Sequence, residues 1–400
     1  MTDDATLDDV EIEFPRTLER LELELEQGMF TRGTQMVAEV AGERVLDVAL
    51  GDAGTGEAMS SEHIFRVYCT IKPFLTIAVA QQVEAGAVLL DEPLERHLPN
   101  VAGLSDGVTL RHVLTHTAGL HTLQGLPMEL VKPENRRRIV ERTRRPTAWR
   151  VGIDAAYSEY GAWNVLGFLV EELTGEPLRE HLRTHVIEPL GLHDTYIGMT
   201  PAQFRAVLPR LGVNHDMRDL QSFPMLFERT ERVCVETNPA HGGYTTARDL
   251  ARFYSGLLDG LAGEGVDALP SPDVLYAFCS TVREPVYDQV LDRICPYGLG
   301  FMTELDQHAF GDACSPSSFG HSGNVGSSFA FADPERALAV GVVFNGLVGH
   351  DAAFLRRRAL LRALYLDLDD REDAAAAALE PEPEPVGRRG LFGRRKRREE

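Results

Sequence analysis

The chain has 400 residues, 44% of them hydrophobic, with 61 acidic against 40 basic side chains and a formal net charge of −21. That length and apolar content can bury a large core, while the acidic balance argues against general nucleic-acid affinity, which needs a basic surface. No apolar run is long enough to cross a bilayer.

The first 13 residues are acidic, lack the basic and apolar regions of a secretory signal, and are expected to be loose. Residues 34–40 and 44–50 are apolar with β-branched positions, broken at Gly42-Glu43, and read as a hairpin. Cys69-Thr70-Ile71-Lys72 then stands at the start of a helix expected over residues 73–86, with Pro73 tolerated in the first turn and Gly86 as a stop. Residues three apart share a helix face, so the Cys69 sulfur and the Lys72 ammonium can meet. A helix N-terminus and a nearby cation both favour the reactive thiolate. Over four residues alone, a small buried cysteine beside an unrelated lysine would look the same.

Further helical patterns cover 163–174 and 246–258. A second hairpin is expected from 327–332 and 338–344, turned by Asp333-Pro334-Glu335-Arg336, and a helix over 351–365 closes the body. Strands at both ends with helices between imply an α+β body over 14–366. Its sheet portion is expected at 14–72 and 290–366, and an inserted helical portion at 73–289. Residues 367–400 read as a tail: an alanine run, alternating Glu-Pro from Glu380 to Pro385, and a basic end. That basic end suits an acidic partner or an anionic lipid surface, with a solvated tail as the plainer reading. Five cysteines (Cys69, Cys234, Cys279, Cys295 and Cys314) have no close paired spacing, so neither a disulfide framework nor a zinc site is suggested. A reducing cytoplasm is the expected compartment.

Several blocks taken together go beyond composition. Phe65-Arg66-Val67-Tyr68-Cys69-Thr70-Ile71-Lys72 is followed by Asp91-Glu92-Pro93-Leu94 and by Thr109-Leu110-Arg111-His112-Val113-Leu114-Thr115-His116-Thr117-Ala118-Gly119-Leu120. Tyr157-Ser158-Glu159, Pro189-Leu190-Gly191-Leu192, Pro239-Ala240-His241-Gly242-Gly243 and His321-Ser322-Gly323 come next, in that order. The series resembles the serine β-lactamase, penicillin-binding protein and esterase superfamily, closest to its class C and family VIII esterase branch, with Cys69 where the family carries serine. The resemblance implies a largely antiparallel sheet flanked by helices, with the site at the boundary with the helical portion.

It also implies roles. Cys69 would attack a carbonyl and form an acyl-enzyme thioester, Lys72 would hold the nucleophile's proton, and Tyr157 would relay protons, helped by the Lys72 cation. Backbone N–H groups of Cys69 and Asn324 would form the oxyanion hole, Gly323 letting that backbone come close. Glu159, His321, Ser322 and Gly323 would border the substrate; a satisfied strand histidine is the plainer reading of His321. Glu159 departs from the family's Asn and would either keep Lys72 protonated or bind a cationic acceptor. The implied activity is acyl transfer from a small-molecule ester or thioester donor to an amine or alcohol acceptor, without ATP, metal or organic cofactor. An esterase or amidase of the same family, or a silent ligand-binding protein, are the alternatives.

Overall fold

The computed structural model describes residues 12–26, 30–123, 133–219 and 221–379. At its centre is a six-stranded antiparallel sheet. β1 (Gly33–Val40) and β2 (Glu43–Gly51) form the hairpin expected near the start of the chain. β3 (Met302–Thr303), β4 (Phe319–Ser322), β5 (Ser328–Asp333) and β6 (Leu338–Phe344) come from the other end, and the spatial order is β3-β4-β5-β6-β1-β2. β1 joins β6 with Thr34 opposite Phe344 and Val40 opposite Leu338. One sheet thus ties together distant parts of the chain, in the α+β arrangement that the order of strands and helices implied.

The principal helices are α1 (Pro15–Glu26), α2 (Lys72–Glu84), α3 (Gly161–Thr174), α4 (Ala247–Ala262) and α5 (His350–Leu379). Alternating strand residues serve two helical layers. Met36, Ala38, Val340 and Val342 pack with Leu360, Leu361 and Leu364 of α5 and Leu21 of α1. Val37, Ala339 and Val343 join Leu250 and Ala251 of α4 on the other side. α2 is apolar on every side and buried from Lys72 to Ala80, as a central helix must be. Phe74 of α2 stacks on Phe253 of α4 with ring centroids 4.0 Å apart, and Gly86, at φ 68°, ends the helix where expected.

Two elements differ from the sequence expectation. α1 was not expected, and α5 runs to Leu379 instead of stopping near 365, taking in residues read as tail. The same contacts explain both. Asp367 on α5 is buried and accepts from the Thr17 backbone N–H and hydroxyl, both at 2.8 Å, and from Arg16 at 2.9 Å. Arg336 pairs with Asp369 at 2.8 Å and Glu372 at 3.0 Å, and the alanines at 374–378 favour helix. The Glu-Pro and basic segments from 380 onward, and residues 1–11, lie outside the described residues. Among the described residues no helix is long and apolar enough to cross a membrane.

α4 approaches the sheet over Gly341. A Cβ there would lie 2.8 Å from the Ala251 nitrogen and closer still to the Ala247 carbonyl. Gly341→Ala should therefore overpack this contact, at about 1–3 kcal/mol, and lower the thermal midpoint by about 2 °C or more. An unchanged midpoint in a melting experiment would show that α4 can shift freely.

Candidate active site

Cys69 lies on a 3₁₀ turn, Tyr68–Ile71, that leads directly into α2. In 3₁₀ geometry side chains three apart eclipse, and the Lys72 Nζ is 3.0 Å from the Cys69 Sγ. The lysine is fully buried. Its other donors go to backbone carbonyls, Ala240 at 2.7 Å and Glu159 at 3.0 Å. An ammonium has three protons to donate, and here there are three acceptors. A neutral amine fits as well, keeping both carbonyl bonds and turning its lone pair to an S–H. The proton can therefore move between nitrogen and sulfur without either side chain rotating. Burial pulls the Lys72 ammonium below the ordinary lysine range, opposed by its contact with Cys69.

The turn is held from several sides. Tyr68, just before Cys69, is at φ 50°, a left-handed conformation costly for a bulky residue. Its hydroxyl donates to Glu228 at 2.7 Å, and Glu228 pairs with the buried Arg66 at 3.1 Å. Thr70 Oγ1 meets Ser328 Oγ at 2.9 Å, and Ser328 Oγ donates to the Val67 carbonyl at 2.7 Å. Gly323 N–H donates to the Ser328 carbonyl, also at 2.7 Å. This links the nucleophile turn to the end of β4. A Cβ on Gly323 would stand 2.7 Å from the Val67 carbonyl, so this approach requires glycine. Among the described residues neither the Cys69 nor the Asn324 N–H donates to another group, and both residues line one cavity.

That cavity, of about 290 Å³, also takes in Tyr157, Glu159, Ser322 and Gly323. Six of the seven residues singled out from the sequence beside Lys72 therefore border the same space. His321 does not. It is fully buried behind the wall, its Nδ1–H donating to the Ser322 carbonyl at 3.0 Å and its Nε2 3.3 Å from the Tyr297 hydroxyl. Burial first, then the Lys72 charge, holds it well below the ordinary histidine range and hence neutral. In this arrangement its ring nitrogens are both occupied within the protein.

Tyr157 also differs in detail. Burial, and next the Cys69 sulfur beside it, push its phenol well above the ordinary tyrosine value, and its hydroxyl has no hydrogen-bond partner among the described residues. The Lys72 Nζ stands over its ring, 5.3 Å from the centroid. Every cause acting on it raises it, so the phenol keeps its proton and faces the cavity as a donor.

Several positioning groups had no local signal in the sequence. The buried Asp288 takes the Tyr157 N–H at 2.9 Å and is paired with Arg283 at 3.1 Å. Asn238 Oδ1 accepts the Ala240 N–H at 3.1 Å and so orients the peptide whose carbonyl holds Lys72. Ser158 N–H donates to His116 Nδ1 at 3.2 Å; His116 was visible only as part of a resembling block. The metal-capable side chains that converge among the described residues, Glu176, His181 and His185, are not in this lining. A larger cavity of about 620 Å³ lies elsewhere, but burial pushes its thiol, Cys279, up and away from thiolate formation.

This arrangement of a thiol and a buried lysine beside an antiparallel sheet belongs to the β-lactamase-like class of folds. Residues 21–365 match the Beta-lactamase family, and the chain belongs to it. The esterase EstB of Burkholderia gladioli is 32% identical over 177 residues, 39% of this chain and 44% of that protein. The chain thus spans about half the length of the first curated relatives it matches. In fold it is similar to a penicillin-binding protein homologue from Caulobacter crescentus (TM-score 0.71, 23% identity, 88% of this chain and 97% of that one). It is also similar to EstCE1, described as a hydrolase with promiscuous acyltransferase activity (TM-score 0.72, 19% identity, 89% and 99%).

Cys69 is the partly exposed thiol; the other four are buried. Burial pushes Cys234 and Cys295 up to about 11, Cys314 up to about 12, and Cys279 up as well. Iodoacetamide at pH 7 should therefore label one thiol, and Cys69→Ala should take up none on the same timescale. Comparable labelling of the variant, read by intact-protein mass spectrometry, would contradict this ordering of thiols.

Proposed function

We propose that this protein is an acyl-transfer enzyme working through a thioester on Cys69. The observation that carries the reading is the 3.0 Å contact of the buried Lys72 Nζ with the Cys69 sulfur, with both remaining donors saturated. In the first half-reaction Lys72 takes the thiol proton and the sulfur attacks the donor carbonyl carbon. The carbonyl π electrons move to oxygen, towards the N–H groups of Cys69 and Asn324. When they return, the bond to the leaving group breaks, and that group leaves with a proton from Lys72 or Tyr157. In the second half-reaction the acceptor attacks the thioester, gives its proton to the same network, and the thiolate returns. Glu159 lines the same cavity as Cys69 and suits a cationic or amine acceptor.

Hydrolysis is the second reading, favoured by the names of the relatives: esterase EstB, and an esterase/β-lactamase of Mycobacterium tuberculosis that is 23% identical over 79% of this chain. Water would then be the acceptor in the same cycle. The promiscuous acyltransferase activity of EstCE1 is compatible with either.

With an activated ester as donor, Cys69→Ala should form no acyl adduct, and Lys72→Ala and Tyr157→Phe should each slow acylation by about 10²-fold or more, the scale of a positioned proton-transfer group. Adding amines should give amide in preference to free acid; free acid alone with every amine and alcohol tried would favour hydrolysis.

Acylation should also depend on pH with a definite sign. The amine form of Lys72 is the base, and burial favours that form. The rate should rise with pH and level off at an inflection below the usual lysine value of about 10.4. Stopped-flow acylation that falls as pH rises from 6 to 9 would rule out Lys72 as the base.

A further inference from the structure

The cavity lining carries charge of both signs, and the chemistry at sulfur does not use all of it. Glu159 is the acidic side chain in its lining. Arg357 of α5 and Arg293, from the strand Arg293–Tyr297, enter the same lining. Arg357 is 5% exposed. Its Nε donates to the Ala309 carbonyl at 2.6 Å, and its guanidinium lies over the Phe310 ring, 4.7 Å from the centroid. Its Nη1 is buried and has no hydrogen-bond partner among the described residues.

Other buried arginines of this chain are compensated. Arg66 pairs with Glu228, Arg136 with Glu236 and Arg283 with Asp288, while Arg356 donates to the carbonyls of Phe30, Gly326 and Gly346. Arg357 has one carbonyl and two aromatic faces, and the nearest charged side chains acting on it, Arg356 and Arg293, are of its own sign. With burial they push it down to about 9. An uncompensated buried cation is costly, and a planar guanidinium is the group best matched to a carboxylate. His350, Ala353, Phe354 and Arg357 form one face of the first turns of α5 on the cavity, so the positive end of that helix adds to the same field.

We propose that Arg357 and Arg293 bind a carboxylate on the acyl portion of the donor, so that the preferred donors are thioesters or esters of short dicarboxylic acids. The inference rests on the acyl-enzyme reading above. The acyl group is the part of the substrate that stays through both half-reactions, so a fixed anion site is of most use to it. A cavity of about 290 Å³ suits a small acyl group.

The test compares the phenyl monothioester of glutaric acid with the phenyl thioester of pentanoic acid, same chain length, reading the second-order rate of Cys69 acylation by intact mass. The glutaryl donor should react faster by about 10- to 100-fold, the scale of a hydrogen bond to a charged group. Arg357→Met should collapse that ratio toward one and Arg357→Lys should keep part of it. Arg293→Gln carries the same arm should the Arg357→Met protein not fold. Equal rates in the wild type, or a ratio unmoved in these variants, would overturn the inference and leave the acyl-enzyme reading intact. Calorimetry with glutarate on Cys69→Ala protein separates the two failures. Binding that Arg357→Met abolishes, with no thioester labelling Cys69, would support the anion site and refute the covalent chemistry; no binding would refute the site.

Discussion

The burial of the Lys72 ammonium against three acceptors is the constraint on which the rest of the site depends. A charge taken out of water must be repaid by contacts of good geometry. Here two of the three contacts are main-chain carbonyls from segments far apart in sequence, Glu159 and Ala240. Each carbonyl in turn belongs to a loop that is held elsewhere: the first follows Tyr157, whose N–H rests on Asp288, and the second is oriented by Asn238. Lys72 is therefore both the side chain that meets the sulfur and the point that ties the segments around Glu159 and Ala240 to the Cys69 turn. Removing it would leave two buried carbonyls unpaired as well as a thiol without a base.

The sequence made this pair visible because both of its members sit in one short stretch. Cys69 and Lys72 are three apart, and that spacing brings them together in either an α or a 3₁₀ turn, so the exact helix type did not matter. The sheet was legible for a similar reason: its hairpins are local, with turn residues at Gly42 and at Pro334–Arg336. What was hidden is non-local. Asp367 holds the N-terminal helix across almost the whole chain, and no window of sequence contains both partners, so α1 and the far half of α5 were missed together. Asp288 and Asn238 were invisible as supports of the site for the same reason. His321 shows the converse, since motif position pointed to the substrate while the structure buries the ring against Tyr297, outside the cavity lining.

Strain is concentrated where the two free N–H groups are presented. Tyr68 before the nucleophile and Val325 just after Asn324 both lie at positive φ, 50° and 41°, conformations that cost of order 1–3 kcal/mol each for such residues. They are held by the Tyr68–Glu228 hydrogen bond on one side and by the Gly323–Ser328 backbone bond on the other. A site built this way keeps its donors aimed before any ligand arrives, which is what electrostatic stabilisation of a developing oxyanion requires.

The state of Tyr157 bears on which acceptor such a site would favour. Water is a weak nucleophile and gains most from a base that removes its proton, but burial and the neighbouring sulfur keep the Tyr157 phenol protonated. The base left is the Lys72 amine, which carries a proton for as long as the leaving group has not taken it. An amine needs less help, because its lone pair is already available. A thioester adds to this difference: its carbonyl is less stabilised by resonance than that of an oxyester, and amines exploit this more than hydroxide does. On the acyl-transfer reading, sulfur at position 69 and a protonated phenol at position 157 act in the same direction. Each lowers the advantage of water over an amine held near Glu159.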